Sequence, residues 1–511
     1  MPATYVTPGV YIEEVDKGSK PIEAAGASMA AFVGVTAEAS IKVLDSETGE
    51  RIPVESVINK PMLVTNWTQY QNIFGGFTTG AYTPDAVYGY FNNGGGPCYV
   101  SSIKALNDAD DTAIAASVAI PPASGKGKGM TVTAKLAGES GNALAVIIKS
   151  DSEGDTFTMS VGGETYAGLT MKKGDTHVGD IDFTAVTVSN LGAAALTEGT
   201  YQLEGGGSSP LTAADFIGDV SKRTGLGGLE AFEDIRLVIC PDLMAGYDGS
   251  DTFKEKIKAV QTAMIADCER LRYRFAVLDT PPGLNAQQAK AWRMYVNFDS
   301  SYAAMYYPWI EVADLSDSPQ TAKFIPPSGH MVGVYNRVDA QVGFHKAPAN
   351  EVVAGAISIE LNLTKGEQGV LNPIGVNCIR SFPGRGIRVW GGRTLSSDGS
   401  WRYINVRRLF IVVGASLDTG MQWVVFEPND HTLWAKVRRD ANAFLSTIWL
   451  SGALFGTTKD QAFYVKCDEE LNPPEIRDLG QLIIEIGMAP VKPAEFVIFR
   501  LSQWAGPNAE G

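Results

Sequence analysis

Two proline-isolated segments with strand character, one at each end of a 511-residue chain, constrain this sequence more than any internal motif. Val10, Ile12 and Val15 sit among Tyr11, Glu13 and Glu14 just after Pro8-Gly9, and the run AEFVIFRLSQW from Ala494 follows Pro490 and Pro493. A strand cut off from its own domain carries unpaired N–H and C=O groups, which must find a sheet edge elsewhere. Two such ends on one chain favour a subunit that adds strands to the sheets of its neighbours, as a polymer does. The alternative is a pair of terminal strands that pair within their own chain.

At roughly 150 residues per domain, the length corresponds to about three domains, each large enough for a core. With 45% hydrophobic and 19% charged residues, neither disorder nor a coiled coil is favoured. The formal charge of −15 argues against a general affinity for nucleic acid or anionic membrane. Cys98, Cys240, Cys268, Cys378 and Cys467 are scattered, odd in number and without a CxxC pair, and read as reduced thiols of a cytosolic product. Glu13, Glu14, Asp16, Lys17, Lys20 and Glu23 interrupt the apolar stretch a signal peptide needs, so export by that route is not expected. No run approaches the ~18 apolar residues of a membrane span.

Composition divides the chain. Between Ala105 and Leu211 there is no Arg, Trp or Cys, and six Lys stand against thirteen Asp plus Glu, a local charge of about −7. Short alternating runs such as MTVTAKL and FTMSVGG predict an acidic, mostly-β inserted domain with one solvent-facing side. The following block alternates: strand Arg236 to Cys240, a helix carrying Phe253, Ile257, Val260, Met264, Cys268 and Leu271, strand Arg274 to Leu278, helix Ala286 to Val296 and strand Tyr302 to Val312. That pattern predicts a parallel sheet with covering helices. From about Gly375 six of the nine Trp appear, with seven Arg between Arg380 and Arg408. Helices around Leu409 to Val413 and over Thr432 to Leu450, with strands Phe463 to Cys467 and Leu482 to Ile486, predict an α+β unit.

The expected architecture is therefore multidomain, α/β and α+β. It comprises an N-terminal arm (1–25), an α/β core domain (26–104 and 212–374), the inserted mostly-β surface domain (105–211), a C-terminal domain (375–489) and a C-terminal arm (490–511). Gly18, Pro21 and Gly26 after the first arm, and Gly487, Pro490 and Pro493 before the second, suit hinges.

Catalytic motifs are weak. Asp242 and Asp279 stand at strand ends, where open α/β sheets place active sites, so a soluble α/β enzyme is the alternative function; against it, each Asp can accept hydrogen bonds from nearby backbone N–H groups in a turn. GKGKG around Lys126 and Lys128 lacks the phosphate-loop spacing. GASMA at Gly26 and GASLD at Gly414 lack the final glycine of a nucleophile elbow. His177, His330, His345 and His431 show no metal-ligand spacing. No cofactor and no metal are expected.

Several segments together resemble the contractile tail sheath proteins of phages, tailocins and extracellular injection systems. The resemblance is carried by PGVYIEEV at Pro8, IFGGF at Ile73, GGGPCYV at Gly94, YYPW at Tyr306 and PPSGHMVGVYNRVDAQVGFHKAPAN at Pro326. LNPIGVNCIRSFPGRGIRVWGGRTLS at Leu371, YINVRRL at Tyr403 and LNPPEIRDLGQLIIEIGMAPVKPAEFVIF at Leu471 extend it. It covers roughly residues 1–104 and 215–505. The resemblance implies a virion or particle component, not an enzyme: stacked hexameric rings in a helical array around an inner tube, contracting once to drive the tube through a target envelope. The implied partners are further copies of the chain, the inner tube protein, and baseplate and terminator or cap proteins, with no nucleic acid and no membrane insertion. Assembly is expected in the cytoplasm of the producing bacterium, before incorporation into a tail or injection particle.

On that basis the intersubunit arms are Val10, Tyr11, Ile12 and Val15 with Phe496, Val497, Ile498 and Phe499. The receiving sheet, which in sheaths belongs to the C-terminal domain, is assigned to Phe463, Val465, Cys467, Leu482, Ile484 and Ile486. Lys436, Arg438 and Arg439, left over when Trp434, Val437, Ala441, Leu445 and Ile448 take core spacing, are the candidate tube-facing charges; a solvated helix face is the alternative. The arginine-rich GRGIRVWGGR from Gly384 is expected to pair with carboxylates of its own or a neighbouring subunit.

Overall fold

The computed structural model describes residues 22–44, 51–106, 113–123, 128–135, 141–142, 144–151, 156–174, 176–208, 210–316 and 321–500. Its centre is an eight-stranded sheet built from β1 (Ala30–Thr36), β2 (Met62–Val64), β3 (Cys98–Ala105), β4 (Leu237–Ile239), β5 (Phe275–Asp279), β6 (Ala303–Tyr307), β7 (Val376–Phe382) and β8 (Gly386–Val389). The spatial order is β8-β7-β6-β5-β4-β1-β3-β2. The six inner strands are parallel, and only the edge strands β2 and β8 run antiparallel to their neighbours.

A parallel sheet must be covered on both faces, and successive side chains of a strand point to opposite faces. Every residue of β1 is accordingly buried. Ala30 and Phe32 face one core, with helices α1 (Trp67–Phe74), α2 (Thr83–Asn92) and α5 (Ser328–Gln341). Ala31 and Val33 face the other, with α3 (Asp251–Leu271) and α4 (Ala286–Val296). Local chemistry starts these helices: the Ser250 hydroxyl accepts from Phe253 N at 3.2 Å, and Asn285 forms a reciprocal capping box with Gln288. Helix α3 presents Ile257, Val260, Met264 and Cys268 to the core, as its spacing predicts.

The expected strand Tyr302 to Val312 is two strands. β6 stops at Tyr307, and Ile310–Ala313 pairs antiparallel in a separate three-stranded sheet. Pro308, which lacks the N–H a ladder requires, lies between them. β7 and β8 belong to the central sheet, so this sheet continues past the expected 374/375 division.

The inserted region forms a four-stranded and a three-stranded antiparallel sheet around a core of their own, including Val132, Ile148, Phe157, Met159 and Val186. Met130–Ala134 and Thr156–Val161 alternate strictly between buried and half-buried residues, the pattern of a sheet covered on one face.

The remaining helices, α6 (Ile404–Gly420) and α7 (His431–Leu450), pack with a two-stranded antiparallel hairpin of β9 (Phe463–Lys466) and β10 (Glu485–Met488). All five cysteines are buried and unbridged. Among the described residues, no helix is long and apolar enough to cross a membrane.

Candidate functional site

The strand order reverses direction beside β1, the switch point at which open α/β sheets usually leave a ligand crevice. Here a buried carboxylate stands beside it. Asp242, just after β4, accepts from Val35 N at 2.6 Å, from Thr83 N at 3.2 Å, and from Tyr82 N and the Thr83 hydroxyl. It thus occupies the N-terminus of α2, where an anionic ligand would otherwise be attracted. Asp279, at the end of β5, does the same for α5, accepting from Ser328 N at 2.9 Å and Ser328 Oγ at 2.6 Å. Burial pushes the Asp242 carboxyl up to about 6 and that of Asp279 up to about 7. Neither side chain is held by the local turn expected from sequence; both tie distant segments together. Gly34 is required beside Asp242, because a Cβ there would overlap Thr83 Oγ1 and Asp242 Oδ2.

Residues 22–27 and 491–495 both meet helix α6 (Ile404–Gly420). Asn405, near the start of α6, donates from Nδ2 to Val491 O at 3.0 Å, and Tyr403, its N-cap, donates to Glu495 Oε2 at 3.0 Å. Glu495 is further held by Arg393, with Nε to Oε1 at 2.9 Å and Nη2 to Oε2 at 2.7 Å, and by Asn372 Nδ2 at 2.7 Å. These donors keep the half-buried carboxyl below its usual range even though burial alone would raise it. Further along α6, the Ser416 hydroxyl accepts from Ala25 N at 2.8 Å, Arg408 Nη2 donates to Ala27 O at 3.0 Å, and Ile22 packs on Gly420.

The described residues beyond Glu495 are exposed. Phe496, Val497, Ile498 and Phe499 are 72%, 70%, 79% and 83% exposed and belong to no strand. Of the expected hinge residues Gly487, Pro490 and Pro493, the first two are in contact with the body. Gly487 lies in β10 beneath the Tyr464 ring, Pro490 bridges Leu454, and Val491 N donates to Ala453 O at 3.2 Å. Val10, Tyr11, Ile12 and Val15 lie outside the described residues.

The expected receiving strands are shifted. Phe463, Val465 and Ile486 are in the hairpin, but Cys467, Leu482 and Ile484 are not. Arg438 Nη1 donates to Cys467 O, ending β9 at Lys466. Asn472 occupies both backbone groups of Ile483, accepting from its N at 2.6 Å and donating to its O at 3.0 Å, so β10 starts only at Glu485. Cys467, Leu482 and Ile484 instead pack with Leu433, Trp434 and Val437 of α7. Arg438 is half-buried by its bond to Cys467, whereas Lys436 and Arg439 are exposed, Arg439 Nε lying 3.0 Å from Asp440 Oδ1. In the arginine-rich segment, Arg393 finds its carboxylate in Glu495, while Arg388 donates to Asn350 O at 2.7 Å.

Two family models match consecutive stretches: the phage tail sheath protein central domain over residues 218–395 and the phage tail sheath C-terminal domain over residues 396–503. A putative prophage major tail sheath protein of Pseudomonas aeruginosa is 30% identical over 304 residues, 57% of this chain and 74% of that one. This chain belongs to the phage tail sheath family. The tail sheath protein of Burkholderia phage BcepMu is 26% identical over 525 residues, 97% of this sheath chain and 96% of that one. The fold is shared with the contracted helical sheath of the anti-feeding prophage, at TM-score 0.60 and 24% identity over 98% of this chain and 100% of that one. It is also shared with the contracted sheath complex of the extracellular contractile injection system PVC, at TM-score 0.59 and 22% identity over 98% and 99%. The junction between the two family models falls after the β7–β8 edge hairpin, where the central sheet ends. The sheath family is structural, so the buried Asp242 and Asp279 are braces of a mechanical subunit and the enzyme alternative is dropped.

Proposed function

We propose that this sheath subunit polymerises by exchanging its two terminal arms, with residues from Phe496 onward and the segment around Val10 to Val15 each adding a strand to the β9–β10 hairpin of a neighbour. The observation that carries this reading is the run of four consecutive exposed apolar residues, Phe496–Phe499, immediately beyond the Glu495 clamp. An exposed run of this kind marks an interaction surface. Among the described residues the hairpin has two strands in its sheet, and so two outer edges for two incoming arms.

Each exchanged arm would contribute several backbone hydrogen bonds at about 0.5–1.5 kcal/mol net, and burial of the two apolar side chains on one face at about 1.5–3 kcal/mol each. These sums are modest against the cost of association, so continuity of the sheath arises from many repeated links. Such links hold while whole subunits rotate, as contraction around an inner tube in stacked hexameric rings requires. Baseplate and cap proteins close the two ends of the array, and the particle assembles in the producing bacterium. Lys436 and Arg439 remain the tube-facing candidates; exposed charges of this kind are individually weak and salt-screened, which suits a sheath that must release its tube. Arg438 acts within the subunit.

Negative-stain microscopy of the purified chain lacking residues 496–511 tests the reading. The shortened chain should fold with a native melting temperature and form no long tubes. Full-length tubes from that chain would refute arm exchange.

A further inference from the structure

Helix α6 carries the roots of both arms. Its N-terminal end holds the C-terminal arm through Tyr403–Glu495 and Asn405–Val491, and its C-terminal half holds the last residues of the N-terminal arm through Ser416–Ala25 and Gly420–Ile22. The helix has 17 residues and spans about 25 Å at 1.5 Å per residue. Between the two roots it is fastened to the central unit. Arg408, nearly fully buried, pairs with Asp339 of α5 through Nη1–Oδ1 at 2.9 Å. Arg407 donates from Nε to Ser301 Oγ at 2.9 Å, and its guanidinium lies 3.6 Å from the Trp401 ring centroid.

We propose that α6 is a strut that joins the two arms in series, so that pull arriving through one neighbour's sheet passes from the Glu495 clamp along the helix to the Ile22–Ala25 root and into the next neighbour. This rests on the arm-exchange reading and assigns its mechanical path. Glu495 suits the task because four separate donor atoms, from Arg393, Asn372 and Tyr403, converge on its carboxylate from the segments flanking the β7–β8 hairpin and from the α6 N-cap. The arm can swing only beyond that point, and its origin is fixed relative to the body. Glu495, Ser416 and Gly420 are positioning residues, and none of them needs to touch a neighbour.

Sheath length, measured by negative stain at matched subunit concentration, tests the strut. Glu495→Ala and Asn372→Asp, the latter placing a second carboxylate beside Glu495 while keeping its size, should each leave the free chain folded and shorten sheaths several-fold. Gly420→Val should do the same from the other end, because a Cβ at Gly420 lies 2.7 Å from Ile22 Cγ2 and must displace it. For a path in series, Glu495→Ala combined with Gly420→Val gives sheaths no shorter than the worse single variant. Shortening in the double variant equal to the product of the two single effects would overturn the strut in favour of independent anchors. Native-length sheaths from both Glu495→Ala and Asn372→Asp, with none from the 496–511 deletion, would also overturn it while leaving arm exchange standing. Native sheaths from the deletion itself would remove arm exchange, and the strut with it.

Discussion

Replacing Asp279 by asparagine should flatten the dependence of this subunit's stability on pH. Burial raises the Asp279 carboxyl from 3.8 to about 7 in the folded chain, so between those values the folded state holds a proton that the unfolded state has released. Its contribution to stability is full below about pH 4 and is lost as pH rises through about 7. A rise of about three pH units corresponds to about 4 kcal/mol, of which about 3 kcal/mol falls between pH 5 and pH 8. Asparagine preserves the brace: Oδ1 still accepts from Ser328 N, and the amide can donate to Ser328 Oγ in place of the bond the carboxylate accepts. Urea unfolding followed by tryptophan fluorescence measures the effect, and Trp309, whose Nε1 is bonded at 2.8 Å to the carbonyl of Thr280, the next residue, contributes to that signal. The native chain should lose about 3 kcal/mol more than the variant between pH 5 and pH 8. Equal losses in the two chains would show that Asp279 does not carry the pH dependence, as would a variant weakened more at pH 8 than at pH 5, which would mean that the charge itself is needed.

Gly34→Ala should be severely destabilising, by about 3 kcal/mol or more, because no space exists between Thr83 and Asp242; the urea midpoint checks it. Asp339→Ala should cost about 3–5 kcal/mol by leaving Arg408 buried without its partner, again read from the urea midpoint. Gly414→Ala, in the middle of α6 with nothing within 4 Å of the added methyl, should instead stabilise by about 0.5–1 kcal/mol, seen as a raised melting temperature with unchanged sheath length.

The βαβ series was legible because its signals are local. The helix expected over Ala286 to Val296 is found with those bounds, and the 3.6-residue spacing of Ile257, Val260, Met264 and Cys268 is the buried face of α3. The alternation of Met130–Ala134 likewise marked a one-sided sheet in the insertion. Sheet order was not legible, since β1 lies between β3 and β4, which the chain reaches only after the whole insertion. The role of Asp242 was hidden for the same reason: its donors, Val35, Tyr82 and Thr83, are 207, 160 and 159 residues away. At the candidate site the sequence singled out Phe496–Phe499, which are exposed, but gave no sign that Glu495 is fastened to the body, because Arg393, Asn372 and Tyr403 converge on it only in three dimensions. The shifted bounds of the hairpin trace to side chains, Arg438 and Asn472, that take over backbone groups a ladder would otherwise use; no alternation pattern encodes that competition.

Arm exchange requires that the arms leave their own subunit. A cryo-EM map of the sheath assembled from the intact chain measures this directly. In that map the backbone of Phe496–Phe499 should be hydrogen-bonded to an outer edge of the β9–β10 hairpin of a neighbouring subunit. Continuous density that turns Phe496–Phe499 back onto the hairpin of its own chain, in an intact sheath, would contradict it.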